Sequence, residues 1–196
     1  MKYIVSLLMI LVFFGCGTAE GSAKISTYKD GDKIELASVM GSKITLLRKN
    51  GGFVLAGDED KILILDIFGT FCHPCQSEAP KLMNFQLKND KDVLLIAFTH
   101  FEDVTDQYVI DNFASKFNAY YFIVNSPKND KIVNTIVEDI GFVGSVQVPL
   151  KVVLKNGKYQ TLTDPYNESP KDNYYIGAID TEIIQKDIDR IKETNE

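Results

Sequence analysis

Cys72 and Cys75 are the two residues of this chain whose type and spacing could do chemistry together. They follow an apolar run at residues 62–68 that is typical of a buried central strand, and the polar residues after Cys72 are typical of a helix start. Unpaired backbone N–H groups and the helix dipole favour an anion at the first turn of a helix. A free thiol has a pKa of about 8.5, and we expect this location to keep Cys72 partly ionised, hence reactive, near neutral pH.

The spacing of the two cysteines indicates which reaction they could perform. At positions i and i+3 of a helix start both sulfurs lie on one face, so the pair can close into a disulfide and reopen. Cys72 would attack, and the deeper Cys75 would resolve. The alternatives are a zinc half-site and two inert core thiols. A structural zinc site needs four ligands, and beyond this pair the chain offers only Cys16, His73 and His100, so we predict neither a metal centre nor a cofactor.

Residues 62–80 resemble the active-site strand and helix of the thioredoxin superfamily. Asp66 lies six residues before Cys72, where thioredoxins carry a buried acid. Pro74 matches the proline of the C-x-P-C subclass, and Pro80 matches the proline that kinks the first helix of these proteins. Together with the cysteine pair, these offsets favour a redox function over the zinc and core alternatives.

The resemblance also implies roles for the neighbours of the cysteines. Asp66 would accept and return the proton of Cys75, and burial in an apolar strand should raise its pKa; the alternative is a solvated carboxylate at the strand end. Phe71 stands where the family usually has tryptophan and is expected to contact the substrate. His73 either stabilises the thiolate, which would make the pair more oxidising, or is an exposed residue that tunes nothing.

A second motif ends at Pro149, at the start of the predicted strand 150–154. Thioredoxin-like proteins place a cis-proline at this point, beside the C-x-x-C motif, and the backbone of the residue before it pairs with the substrate chain. The resemblance therefore implies a cis bond at Pro149 and a substrate-binding role for Val148, although only about 5% of X–Pro bonds are cis. The loop before Pro149 is two residues longer than the usual G-V-x-G-x-P.

The amino terminus carries Lys2 and then an apolar run at residues 3–14. This run is shorter than the roughly 20 residues of a membrane-spanning helix and has the length of a signal-peptide core. Gly15-Cys16 resembles a bacterial lipobox, in which the cysteine is lipidated after cleavage; the alternative is ordinary cleavage after residues 17–19. We predict a signal peptide over residues 1–15, a lipid-anchored tether over 16–24 and one domain over 25–196, in a bacterial lipoprotein attached to a membrane and facing the periplasm.

The composition of the chain is that of an ordinary globular protein. It has 196 residues, of which 45% are hydrophobic and 24% charged, which suffices for one core. The net charge is −6, and no cluster of Lys and Arg is interleaved with aromatic residues. A nucleic-acid partner is therefore excluded, and anionic partners are disfavoured.

The order of the predicted strands and helices is compatible with the same fold. Over residues 25–193 the chain resembles the TlpA/ResA group of membrane-tethered thioredoxin-like proteins. This implies an α/β fold with a central mixed β-sheet flanked by helices, an N-terminal hairpin and an inserted αβ unit. The predicted elements are hairpins at 25–36 and 44–55, strands at 62–68, 93–98, 119–124 and 150–154, helices at 73–87, 104–117, 132–140 and 176–191, and a loop at 161–175.

The resemblance implies an exported thiol–disulfide oxidoreductase that acts on disulfides or dithiols of other proteins. A reductase is favoured, serving cytochrome c maturation or the repair of mispaired disulfides, and supplied with electrons by a membrane donor of the DsbD/CcdA type. Three rival functions remain open from the residues. They are an oxidase of folding proteins, a thiol peroxidase, and a non-enzymatic Cu(I) carrier, since soft thiolates suit Cu(I).

Overall fold

The computed structural model describes residues 26–167 and 169–194. The predicted signal peptide, the tether and Cys16 lie outside the described residues. The strands are β1 (Lys33–Ala37), β2 (Lys43–Lys49), β3 (Gly52–Leu55), β4 (Ile62–Phe68), β5 (Val93–Thr99), β6 (Phe122–Val124), β7 (Leu150–Lys155), β8 (Lys158–Tyr159), β9 (Leu162–Thr163), β10 (Pro170–Asp172) and β11 (Tyr175–Ile176). The α-helices are α1 (His73–Asn89), α2 (Asp106–Val109), α3 (Asn129–Asp139) and α4 (Thr181–Glu193), and a π-helical turn (Ile110–Ala114) continues α2.

The centre of the fold is a six-stranded mixed sheet in the order β11-β7-β4-β5-β6, with β8 paired to β7. Strands β4, β5 and β6 are parallel, whereas β7 runs antiparallel to β4. Every residue of β4 is buried, as expected for a strand covered on both faces. The predicted mixed sheet and the inserted helix-and-strand unit before β7 are confirmed.

The two faces of this sheet are covered by different elements, and alternate residues of β4 point to each. Ile62, Ile64 and Phe68 pack with α1, α4 and the helical segment 106–114. Leu63, Leu65 and Ile67 pack with α3 and with the antiparallel sheet β1-β2-β3. Because side chains alternate along a strand, Asp66 points to the face covered by α1. Within the described residues, no helix has both the length and the apolar character needed to cross a membrane.

The N-terminal hairpin lies later in the chain than predicted. The expected hairpin around residues 30–32 is wrong, because β1 pairs instead with β2. The turn at Gly31 closes onto β2, where its N–H donates to the carbonyl oxygen of Arg48 over 2.8 Å. The chain before it meets α3, since the N–H of Tyr28 donates to Thr135 Oγ1 over 3.0 Å. The second predicted hairpin is confirmed as β2–β3.

Other elements also differ from the prediction. The strand expected from residue 119 begins at Phe122, and the closing helix expected from residue 176 begins at Thr181. Asp180 caps that helix, because its carboxylate accepts the N–H of Glu182 over 3.0 Å. The loop predicted at 161–175 contains the two-stranded sheet β9–β10. None of these shifts alters the elements that carry the cysteines.

Candidate active site

The two cysteines lie where β4 ends and α1 begins. Cys72 is the N-cap residue of α1, and it is joined to Cys75 by a disulfide with a Cα–Cα distance of 5.3 Å. The N–H of Cys75 donates to Cys72 Sγ over 3.3 Å. Cys72 is 7% exposed and Cys75 is 2% exposed. The outer sulfur is therefore held by the helix start and is the more accessible of the two.

The turn before Cys72 is held tightly by its own residues. A Cβ at Gly69 would lie 2.6 Å from Cε1 of Phe71, so a larger residue there would require the Phe71 ring to move. The N–H of Cys72 donates to the carbonyl oxygen of Gly69 over 3.1 Å, and Gln76 Nε2 donates to the carbonyl oxygen of Thr70 over 2.7 Å. Phe71 is 53% exposed beside the buried sulfur, so its ring is available to a partner.

A carboxylate from the next strand connection fastens the same turn. Glu102 Oε1 accepts the N–H of Thr70 over 2.8 Å, and its other oxygen accepts the Thr70 hydroxyl. The N–H of His100 donates to the carbonyl oxygen of Phe68 over 2.8 Å. The loop after β5 is thus bonded to the segment that leads into Cys72. The sequence contains no pattern that identifies Glu102, because its partner lies 32 residues earlier in the chain.

The proline motif meets the disulfide across the sheet. The Val148–Pro149 peptide bond is cis, the isomer that the resemblance implies. Because β7 runs antiparallel to β4, the start of β7 lies beside the end of β4. Cys72 Sγ is 3.6 Å from the carbonyl oxygen of Val148. The structure therefore brings Phe71, the cysteine pair, Val148 and Pro149 together at one edge of the sheet.

Asp66, Lys151 and Glu78 form a buried charged cluster on the α1 face of the sheet. Asp66 and Lys151 are directly paired residues of β4 and β7, and Glu78 is on α1, three residues after Cys75. Lys151 Nζ lies 3.2 Å from Asp66 Oδ1 and donates to Glu78 Oε1. The side chains of Lys151, Asp66 and Glu78 are 0%, 2% and 3% exposed, so all three charges are removed from water.

Burial dominates the ionisation of this cluster. It raises the pKa of Asp66, and the nearby Lys151 ammonium only partly opposes the shift. Burial also raises the pKa of Glu78, to about 7, and the Asp66 carboxylate adds to this shift. The two carboxylates keep the pKa of Lys151 raised although burial alone would lower it. Near neutral pH the arrangement can hold one ammonium together with a proton on one carboxyl group.

Asp66 is also left ready to accept a proton. Its Oδ1 atom has no hydrogen-bond partner among the described residues, although it lies in ion-pair contact with Lys151. Glu78 is better satisfied, because its Oε2 accepts the N–H of Ile179 over 3.3 Å. Asp66 is thus buried as expected, which raises its pKa, and the solvated strand-end alternative does not describe it.

The remaining candidate residues are the helix-start dipeptide His73-Pro74 and the second histidine, His100. His73 and Pro74 are exposed in the first turn of α1. His100 lies in the loop bonded to the turn before Cys72, and its side chain is 12% exposed. Among residues 26–167 and 169–194, no group of three or more His, Cys, Asp or Glu side chains is placed to hold a metal ion.

The sequence interpretation missed Lys151 and Glu78, and only one of them carried a signal. A lysine within the apolar strand Leu-Lys-Val-Val-Leu is an ionisable group where burial is expected, which by itself indicates a buried partner. Glu78 follows Gln76 and Ser77 in a polar stretch and looks like an ordinary surface residue of a helix start. Its burial depends on the approach of α1 and of the chain at Ile179.

Comparison with known proteins is consistent with this geometry. No protein-family model matches the chain. A thioredoxin from Echinococcus granulosus is 38% identical over 50 residues, which are 25% of this chain and 47% of that protein, so the chain matches about half the length of this curated relative. The solved structure of StoA from Bacillus subtilis is 15% identical with a TM-score of 0.52, and the match covers 80% of this chain and 96% of that one.

A thiol:disulfide interchange protein of the thioredoxin family from Chlorobium tepidum TLS is 16% identical with a TM-score of 0.54, and the match covers 83% of this chain and 92% of that one. At such identities the likeness to solved structures shows the fold. The chain has a thioredoxin-like fold, as the resemblance of its motifs implied.

Proposed function

We propose that this protein is a thiol–disulfide oxidoreductase that exchanges its Cys72–Cys75 disulfide with cysteines of other proteins. The position of the pair carries the proposal, because Cys72 caps a helix and its sulfur lies 3.6 Å from the Val148 carbonyl oxygen beside a cis-proline. An extended substrate chain could pair with the Val148 backbone while its own sulfur meets Cys72. The similar Chlorobium tepidum protein is a thiol:disulfide interchange protein, which supports the same chemistry.

The exchange proceeds in two successive thiol–disulfide exchange steps. In the first, the Cys72 thiolate attacks one sulfur of a substrate disulfide, a mixed disulfide forms, and the second substrate sulfur leaves as a thiolate. In the second, Cys75 loses its proton and attacks Cys72 Sγ, which closes the Cys72–Cys75 disulfide and releases the first substrate sulfur. Two electrons pass from the pair to the substrate, which leaves with two thiols.

Asp66 would receive the proton that Cys75 loses and return it when the pair is reduced again. The raised pKa of Asp66 suits this task, since a base whose pKa approaches the working pH can both take and give a proton. Lys151 would limit the rise by its positive charge, and Glu78 would share the proton. His73, exposed at the helix start, would adjust the stability of the Cys72 thiolate.

The direction of electron flow is proposed to be reductive, with cytochrome c thiols or mispaired disulfides as substrates. An exported compartment is kept oxidising, so a reductase there requires electrons from a membrane donor of the DsbD/CcdA type. Residues 1–15 would direct export to the bacterial periplasm, and a lipid on Cys16 would hold the protein at the membrane through residues 16–24.

Insulin reduction with dithiothreitol as electron source tests the activity. We expect the full chain to accelerate insulin precipitation and Cys72→Ser to abolish this effect. Cys75→Ser should accumulate a mixed disulfide with its substrate, which is detectable by mass. Cys16→Ser is the matched control and should react like the unchanged chain. Full activity of Cys72→Ser would refute the proposal.

A glutathione titration of the pair tests the direction. A reduction potential of about −270 mV, the value of thioredoxin, supports a reductase, whereas a value of about −120 mV, that of a strong periplasmic oxidant, supports an oxidase. His73→Ala should lower the potential if His73 stabilises the thiolate.

A further inference from the structure

A cavity of about 340 Å³ opens beside the redox pair, at the carboxyl ends of β5 and β6. It is lined by His100, Phe101, Glu102 and Asp103 after β5, and by Asn129 and Asp130 at the start of α3. Glu102 belongs both to this cavity and to the active-site turn, because its carboxylate binds Thr70. The cavity is therefore next to the surface on which a substrate of Cys72 must lie.

The side chains that line this cavity carry a net negative charge. Glu102, Asp103 and Asp130 contribute carboxylates, and no lysine or arginine lines it within the described part of the chain. Asp130 is 75% exposed, and its Oδ1 lies 3.2 Å from His100 Nδ1. Burial lowers the pKa of His100 although Asp130 opposes the shift, so the imidazole does not cancel the negative charge at neutral pH. The charge of the cavity is complementary to a cation.

A second and independent feature is a buried acceptor without a partner. Asn129 is 2% exposed and lines the cavity. Its Nδ2 donates to the carbonyl oxygens of Thr99 over 3.0 Å and Val124 over 2.8 Å, and this fixes the orientation of the amide. Its Oδ1 has no hydrogen-bond partner among the described residues. A buried acceptor without a hydrogen bond is energetically unfavourable. A ligand that donates a hydrogen bond to Asn129 Oδ1 would remove this cost.

An exposed aromatic ring, that of Phe101, lines the same cavity. Phe101 is 57% exposed, and its backbone has a φ of +63°, which is uncommon for a residue with a side chain. Its ring lies against the imidazole of His100 with centroids 4.0 Å apart. A strained backbone that presents an apolar ring to solvent is typical of a binding site. The ring could carry the aliphatic stem of a lysine or arginine whose charged end reaches the carboxylates.

The order of the strands gives the spacing of such a contact. Cys72 follows β4, whereas the cavity lies at the ends of β5 and β6, one and two strands away. Neighbouring strands are about 4.8 Å apart, so the separation is about 10 Å, which an extended chain covers in about three residues.

We propose that this cavity is a substrate subsite that binds a lysine or arginine side chain about three residues from the reactive cysteine of the substrate protein. The inference rests on the proposed function and adds a substrate class to it: cationic segments around a cysteine, rather than neutral or acidic ones.

Three synthetic peptides test the subsite. Each carries one cysteine in a disulfide with 2-nitro-5-thiobenzoate, whose release is coloured, and has Lys, Ala or Glu three residues on either side of the cysteine. We expect the reduced full chain to react about tenfold faster with the Lys peptide than with the Glu peptide at low salt. In 0.5 M salt the preference should fall, because exposed charges are screened.

Paired double variants separate the cavity from the overall negative charge of the protein. Asp103→Asn with Asp130→Asn should reduce the preference for the Lys peptide to about twofold and leave the rate with the Ala peptide unchanged. Glu59→Gln with Asp60→Asn removes the same charge from exposed residues before β4, at the opposite edge of the sheet, and should keep the preference.

Equal rates with the Lys, Ala and Glu peptides would overturn the subsite while leaving the proposed function intact. An equal loss of preference in both double variants would also overturn it, since the preference would then come from the net charge. If the reduced chain reacted with none of the peptides, the proposed function would fail, and the subsite with it.

Discussion

Replacing Lys151 by methionine tests whether the buried cluster behaves as the structure implies. The substitution keeps an unbranched side chain of similar length but removes a charge that contacts both Asp66 and Glu78. Breaking a buried ion pair by removing one partner costs about 3–5 kcal/mol, because the other charge stays buried without compensation. The carboxyl groups can escape this cost by taking up protons, so the loss should depend on pH.

The sign of that dependence follows from the direction of the pKa shifts. Glu78 has a pKa of about 7 in the folded protein against 4.5 for an unperturbed glutamate, and the pKa of Asp66 is raised as well. A carboxyl whose folded pKa is raised contributes stability that is present below its unfolded pKa and is lost as the pH rises through the folded value. Without Lys151 both values should rise further.

The expected loss of unfolding free energy in Lys151→Met is therefore small near pH 4 and reaches about 3–5 kcal/mol near pH 8. Near pH 4 Glu78 is protonated in the folded protein, and the raised pKa of Asp66 acts in the same direction, so the Lys151 ammonium has less negative charge to compensate. Urea unfolding of the disulfide form at pH 4, 5.5, 7 and 8 measures this trend.

Lys155→Met on the same strand is the matched control. Lys155 Nζ donates to the carbonyl oxygens of Ile191 and Thr194, each over 2.7 Å, and carbonyls do not titrate. The loss in this variant should be the same at each pH. If Lys151→Met were equally destabilised at pH 4 and pH 8, or were not destabilised at pH 8, our account of the cluster would be refuted.

Two further substitutions probe the supports of the fold. Glu102→Gln weakens the hydrogen bonds to Thr70, so we expect urea unfolding to show a loss of about 1–2 kcal/mol in the free energy of unfolding. We also expect slower alkylation of reduced Cys72. An unchanged alkylation rate would contradict the role of Glu102 in holding the turn before Cys72. Although burial raises it, hydrogen bonds from Thr163, Tyr175 and Arg190 hold the pKa of Asp187 below its usual value. Asp187→Asn should therefore cost about 2–3 kcal/mol at pH 7. The difference should narrow as the pH falls from about 4, where the unfolded carboxyl takes up its proton, through the lowered pKa of folded Asp187. A constant difference in acid unfolding curves would argue against this.

The elements that carry the cysteines could be predicted because their signals are local. The buried run of β4 and the helix start at Cys72 depend on residues that are neighbours in the chain. The position of Pro149 before an apolar strand is equally local, and so is the second hairpin, β2–β3. The hairpin predicted within residues 25–36, by contrast, was wrong. The partner of β1 is β2, a segment farther along the chain, and residues 25–36 alone do not indicate that pairing.

The amino-acid sequence by itself determined the cysteine pair, its place at a helix start and the proline motif before β7. Only the tertiary structure decided what surrounds them. The pairing of β4 with β7 places Lys151 opposite Asp66, and the packing of α1 adds Glu78, which no spacing in the chain indicates. Short-range preferences act through neighbouring residues, whereas burial and charge compensation arise only when distant segments exclude water from the same space.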